Sequence, residues 1–240
     1  MPRSLLLFVL LLALATWGWR SGRIDIPDRW NPWAALRIEA EPNLLTGFQL
    51  ARASAEAGAC RDALAEADMR YLPVPDRVTG PGCGFDNAVR IERTSVAVGE
   101  PFVLSCRTAL SLAMWERHVL QQAAREHLGT RVDAIRHYGS YACRNLYGEA
   151  GRRRSRHATA DALDIAAFGL ADGRRVTVQG NWGQGGVQVG EAVAVPPEAR
   201  FLRAVRDGAC DYFDVVLGPA YNQAHADHFH FDRGGGRACR

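Results

Sequence analysis

The hydrophobic and polar positions divide the chain into a uniformly apolar opening and a patterned body. Leu5 to Trp19 is apolar apart from Thr16 and Gly18, with Arg3 before it and Arg20 after it. A spanning helix needs about 20 apolar residues, with a lower limit near 17, so two readings stand. One is an uncleaved signal anchor over residues 1–20, with Trp17 and Trp19 at the interface. The other is a signal peptide cut after Ala15, since Ala13 and Ala15 make a small-x-small site. The anchor is the favoured one, and both export the body. Residues 21–44 carry Pro27, Pro32 and Pro42 and read as a tether, which leaves 45–240 as one domain.

Within that domain the periodicity predicts alternating helices and strands. Thr46 to Met69 is Ala-rich and helical in pattern, with Gly58 near its middle, and Pro73 to Gly84 reads as a Pro/Gly loop. Ala88 to Val98 suggests a short strand closed by Gly99 and Pro101. From Cys106 to Leu128 the apolar residues Ala109, Leu110, Ala113, Leu120, Ala123 and Ala124 mark an amphipathic helix, capped by Gly129. Val132 to Cys143 reads as a strand returning along it. Leu163 to Phe168 and Arg174 to Val178 flank the turn sequence ADG as a hairpin. Asn181 to Gly190 is a glycine-rich surface loop in which Trp182 either lines a cleft or packs on the hairpin. Pro197 to Cys210 is a helix with Pro197 near its start. Val215 to Leu217 and His228 to Phe231 are the last strands.

Composition adds the compartment. At 240 residues and 48% hydrophobic content the chain can bury a proper core, and a net charge of only +3 does not by itself imply a nucleic-acid partner; none is expected. All 29 basic residues are arginine. The six cysteines form no CxxC pair, which excludes zinc-ribbon and thioredoxin motifs and favours disulfides in an oxidising compartment. Three pairings are expected. Cys60–Cys83 would staple the Pro/Gly loop to the first helix. Cys106–Cys143 follows if a helix of about 33 Å is retraced by about 40 Å of extended chain. Cys210–Cys239 would stop the C-terminal tail fraying.

The candidate chemistry lies in two stretches, SRHATADALDI (155–165) and HADHFH (225–230), which hold four of the seven histidines. On a strand His228 and His230 share a face, and Asp227 can reach the same point from the preceding turn. His157 and Asp164 are about 23 Å apart if extended, so the chain must double back through Ala158, Thr159, Ala160 and Ala162 for both to hold one ion. Asp161 competes as a ligand. A helix start capped by Ser155 and a polar loop without metal are the plainer alternatives. Two imidazoles and one carboxylate suit zinc with a position open to water. His118, His127 and His137 fall on helix or strand positions away from this group. The run Arg152, Arg153, Arg154 and Arg156 either attracts an anionic polymer or is a solvated loop.

At these residues the chain resembles a known family. Ser155, His157, Ala160, Ala162 and Asp164 look like the first zinc motif of the M15-type D-Ala-D-Ala carboxypeptidases, and Asp227 with His230 looks like the second. More specifically, GSYACR (139–144), SRHATADALDI, VVLGPAYN (215–222), HADHFHFD (225–232) and the terminal CR resemble the bacterial extensin-like C-terminal domain family, over roughly Leu45 to Arg240. The resemblance implies an α+β fold, a small antiparallel sheet with flanking helices and the zinc site on the sheet. It implies zinc ligands His157, Asp164 and His230, with Asp227 as general base. His228 shares that role or supports it, as Ser155 and His225 support the ligands. Arg144 stands where related enzymes bind a substrate carbonyl or carboxylate. Ala160 replaces a common glycine and would be strained at positive φ. The implied activity is zinc-dependent hydrolysis of peptide bonds in peptidoglycan, in the periplasm, beside the inner membrane that the N-terminal segment would enter. A non-catalytic, zinc-containing module that binds wall peptide or a partner protein is the alternative.

Overall fold

A computed structural model describes residues 3–23, 26–183, 187–189 and 192–240. It is a mixed α+β fold of small sheets and helices. The main sheet has six strands. At its centre lies Ala162–Leu170, buried almost throughout. Val132–Gly139 pairs antiparallel along one edge of it. The other edge is shared by Phe229–Asp232 and, further along, Arg175–Thr177. Val215–Leu217 then pairs antiparallel with Phe229–Asp232, and Ala238–Cys239 closes that side in parallel.

One face of this sheet is the core. Leu163, Ile165, Phe168 and Leu170 all belong to it, although strict alternation would place 163 and 165 opposite 168 and 170. A bulge resolves this. Arg136 pairs with Ala167 and His137 with Ile165, so Ala166 is an extra residue and the parity switches there. Phe229 and Phe231 continue the core face and stack at 6.0 Å. The expected amphipathic helix covers them as Cys106–Trp115, a π turn over Glu116–Leu120, and Gln121–Leu128. Trp115 is its anchor, fully buried and edge-on to Phe231 at 5.3 Å, with its indole N–H donating to the Val205 carbonyl at 2.9 Å. Gly129 ends the helix at φ 69°, as the pattern predicts. Pro197–Ala209 packs beside it, presenting Phe201, Leu202 and Val205 to the core, with proline in its first turn as expected. Trp182 packs on Phe229 at 5.6 Å, so it belongs with the core and not with a cleft.

Several expectations are corrected. Thr46 to Met69 is two helices, Thr46–Ala55 and Ala57–Ala65, because Glu56 between them is extended. The Pro/Gly loop is a set of strands. Arg70–Val74 joins Ala88–Arg93 and Phe102–Ser105 in a three-stranded sheet. Arg77–Gly80 pairs with Cys83–Phe85 as a hairpin. The glycine-rich loop expected over 181–190 lies partly outside the described residues; its described part includes Val187–Val189, paired with Ala192–Ala194.

Three disulfides form, and two are not the expected ones. Cys210–Cys239 is as expected and pins the C-terminal edge strand. Cys60–Cys83 and Cys106–Cys143 are replaced by Cys60–Cys106 and Cys83–Cys143. The returning strand ends at Gly139, and the chain runs on past the helix start to the hairpin, where Cys143 meets Cys83 at a Cα separation of 5.5 Å. The helix start is instead met by Cys60, whose own helix packs against it, at 6.1 Å.

Arg3–Arg20 forms one helix of 18 residues, about 27 Å at 1.5 Å per residue. Its leucines stay exposed, Leu11 at 63%. Among the described residues no helix is long and apolar enough to cross a membrane.

The π turn buries Glu116. Its Oε2 accepts from the Ser95 N–H and hydroxyl, and its Oε1 has no partner. Burial raises its pKa from 4.5 to about 7 against those hydrogen bonds. The folded state therefore holds a proton that the unfolded chain has lost above pH 4.5. Stability should fall by on the order of 3 kcal/mol between pH 4.5 and 7, then level off. Urea denaturation across that range should show the slope in wild type and not in Glu116→Gln.

Candidate metal centre

The other face of the main sheet carries the chemistry. Strand register sets His230 directly opposite Asp164, and the His230 Nδ1 lies 2.9 Å from Asp164 Oδ1. His157 arrives from the chain just before the central strand. Ser155 starts a single 3-10 turn, Arg156–Thr159, by accepting from the His157 N–H at 3.4 Å. Ala160 then turns left-handed at φ 54°, ψ 28° and reverses the chain. The plain reading of a capped helix start and the reading of a doubled-back chain are therefore both realised, in the same six residues, Ser155 to Ala160. A left-handed alanine costs on the order of 1 kcal/mol. The turn is held from both sides, by Ala160 N–H to His157 carbonyl at 3.3 Å and Ser105 N–H to Ala160 carbonyl at 2.8 Å.

The result is a buried group of His157, Asp164 and His230, whose ligand atoms all lie within 4.8 Å of one another. His157 Nε2 is 3.1 Å from Asp164 Oδ2 and 3.2 Å from His230 Nδ1. The outer nitrogens are fixed. His157 Nδ1 donates to the Ser140 carbonyl at 3.1 Å, and His230 Nε2 donates to Asp232 Oδ2 at 3.1 Å. A carbonyl and a carboxylate only accept, so a neutral imidazole at either position turns a lone pair inward. Lone pairs converging with a carboxylate require a positive charge between them, as a proton or as a cation. The titration directions agree. Burial opposes a charge on His230, but hydrogen bonds to Asp164 and Asp232 outweigh it and raise it to about 9. Burial likewise opposes the Asp164 charge, and hydrogen bonds from His157 and His230 hold it well below the usual carboxylate range. The donor set fits a divalent metal of the zinc type.

Asp161, the competing ligand, is not in this group. It faces away, accepting from Arg107 through Nε at 2.7 Å and Nη2 at 2.5 Å, from Ser105 at 2.5 Å and from Thr159 at 2.7 Å. His118 and His137 bond the carbonyls of Ile38 and Glu100, and neither they nor His127 joins the group.

Around the triad the candidate side chains are arranged in order. His228 turns Nε2 toward Asp164 Oδ1 at 3.6 Å, and its Nδ1 is 2.8 Å from Asp227 Oδ1. Asp227 is thus one imidazole removed from the triad; His228 faces it and Asp227 orients His228. His225 packs 5.2 Å from the His228 ring and is held by Asn222 Oδ1 at 2.7 Å. Burial, then the neighbouring His230 and His228, pushes His225 down to about 4, so it is neutral near pH 7. A cavity of about 520 Å³ opens above these groups, with Ser155 and Arg144 in its lining. Sequence reasoning missed Asp232, although the alternation in HFHFD puts it on the face of His228 and His230. It also missed the Ser140 carbonyl, for which only the tertiary structure gives a signal.

These features define a small, disulfide-stapled α+β domain with a buried His/Asp/His group under an open cavity. Residues 58–240 match the family described as Extensin-like protein C-terminus, and the chain belongs to that family. No curated protein and no solved structure matches it.

Asp161→Asn removes one charge from the bidentate pair with Arg107, whose side chain is 39% exposed and so partly screened. It should cost about 2 kcal/mol in urea denaturation while the His157–Asp164–His230 group stays intact.

Proposed function

We propose that this protein is a zinc-dependent hydrolase of the bacterial cell envelope that cleaves peptide bonds in peptidoglycan, and that it is related to the M15-type peptidases. The observation that carries the reading is the convergence of His157 Nε2, Asp164 and His230 Nδ1 within 4.8 Å, with both outer nitrogens already bonded. The three disulfides support an oxidising compartment, as the periplasm is.

His157, Asp164 and His230 would hold the ion. When bound, zinc supplies Lewis acidity toward a carbonyl and makes hydroxide available near neutral pH. His228 does the proton work. Its Nδ1 is held by Asp227, which leaves Nε2 to take a proton on the triad side and return it to the leaving amine. Asp227 stabilises the imidazolium so formed. Its own pKa is lowered, first by the hydrogen bond with His228, so it stays ionised in that role. His225, neutral and held by Asn222, packs against His228 and fixes its ring. Arg144, on the cavity wall, binds the substrate carbonyl or carboxylate.

Purified protein should contain about one zinc per chain by elemental analysis, and His157→Ala should lose it. Incubated with peptidoglycan, wild type should release new amines. His228→Ala should lower that rate by about 10²- to 10⁴-fold with zinc retained, and Asp227→Asn by less, because it acts through His228. Equal amine release by wild type, His157→Ala and His228→Ala would sink the hydrolase reading. Binding of muropeptide without release would mark a non-catalytic wall-binding module.

A further inference from the structure

The cavity above the triad has two cationic walls, and a single substrate carboxylate accounts for only one. Its lining includes Arg144, Arg153, Arg237 and Arg240. None of the four makes an ion pair with a carboxylate among the described residues. The side-chain carboxylates in the same lining are Asp164 and Asp232, and both are engaged by histidines. All four side chains are exposed, so they are hydrated and screened from one another, and their guanidiniums are free to pair with an anionic ligand.

Sheet order separates them into two pairs. Arg144 and Arg153 come from the loop after Val132–Gly139, at one edge of the sheet. That loop closes on itself, with Leu146 N–H to Arg153 carbonyl and Ser155 N–H to Arg144 carbonyl, each at 3.0 Å. Arg237 and Arg240 flank Ala238–Cys239, the strand at the other edge. The triad lies between, on Ala162–Leu170 and Phe229–Asp232. Three strand steps separate Ala238–Cys239 from the central strand, about 14 Å at the usual spacing. The C-terminal wall is held by Cys210–Cys239 and by the pairing of Ala238–Cys239 with Val215–Leu217, and the glycine run before it lets the chain pass close to Arg156. A Cβ on Gly235, at φ 151°, would meet the Arg156 guanidinium at 1.8 Å.

We propose that the ligand is a peptide carrying at least two carboxylates, one on each side of the bond presented to the triad. Arg144 and Arg153 take one, and Arg237 and Arg240 take the other. This rests on the peptidase reading and names its substrate class. Arginine suits both ends, because its planar fork pairs with a carboxylate through two parallel hydrogen bonds.

The test is calorimetric titration of the full-length, zinc-loaded protein at low ionic strength. The first probe is an N-acetylated alanine pentapeptide with glutamate at its first position and a free C-terminus. Three comparators replace the glutamate by glutamine, amidate the C-terminus, or do both. The dicarboxylate should bind at least about tenfold more tightly than either monocarboxylate, a difference of about 1.4 kcal/mol. The double variant Arg144→Gln/Arg153→Gln should become indifferent to one of the two carboxylates, and Arg237→Gln/Arg240→Gln to the other. Equal affinities across the four peptides overturn the proposal. So do the absence of binding by any of them, or variants that weaken all four peptides alike. Tighter binding of an oligogalacturonate of similar charge also overturns it, in favour of a polysaccharide ligand. Amine release is followed in parallel. Release without carboxylate preference removes this proposal alone, and preference without release removes the hydrolase reading alone.

Discussion

The register between Phe229–Asp232 and Ala162–Leu170 is the constraint on which the site depends. It places His230 opposite Asp164 and, by alternation, Phe229 and Phe231 on the reverse face. A slip of one residue would send the phenylalanines to the cavity and the histidine to the core. The register is therefore enforced by core packing. Trp115 edge-on to Phe231, with its indole N–H tied to Val205, holds the same strand that presents the imidazole. Stability and chemistry share one element, divided by its two faces.

The polar face is built so that its cost is met locally. Each inner nitrogen has its outer partner, supplied by Ser140 for His157 and Asp232 for His230. Asp161, only three residues from Asp164, is turned to Arg107, Ser105 and Thr159 and braces the turn that delivers His157. The left-handed Ala160 persists because hydrogen bonds on both sides of it leave the turn no other path. The basic run before it divides in the same spirit. Arg152 pairs with Glu149, Arg154 reaches the Pro81 carbonyl, Arg156 lies against the glycine run, and only Arg153 lines the cavity.

Local signals carried far in this chain. The helix from Cys106, its Gly129 cap, Pro197 at a helix start, the hairpin around ADG and the strand Val215–Leu217 are all written in short-range pattern. The grouping of His157, Asp164 and His230 is of another kind: spacing and small residues left Asp161 as a rival, the family resemblance implied this set, and strand register brings the three together. The strands Arg70–Val74 and Arg77–Gly80 were hidden because proline and glycine there mark turns in most settings, and here they sit in short edge strands.

By itself the sequence determined the periodic elements, the donor atoms and the presence of an even set of cysteines, because each follows from residue type and near neighbours. Only the tertiary structure decided the partners. Cysteine pairing turned on where the chain goes after Gly139, which no local pattern encodes. The same holds for the Ser140 carbonyl behind His157, for Asp227 standing behind His228, and for the arginines of two sheet edges meeting over one cavity. Each of these is a distance between segments far apart in the chain, fixed by sheet order and packing.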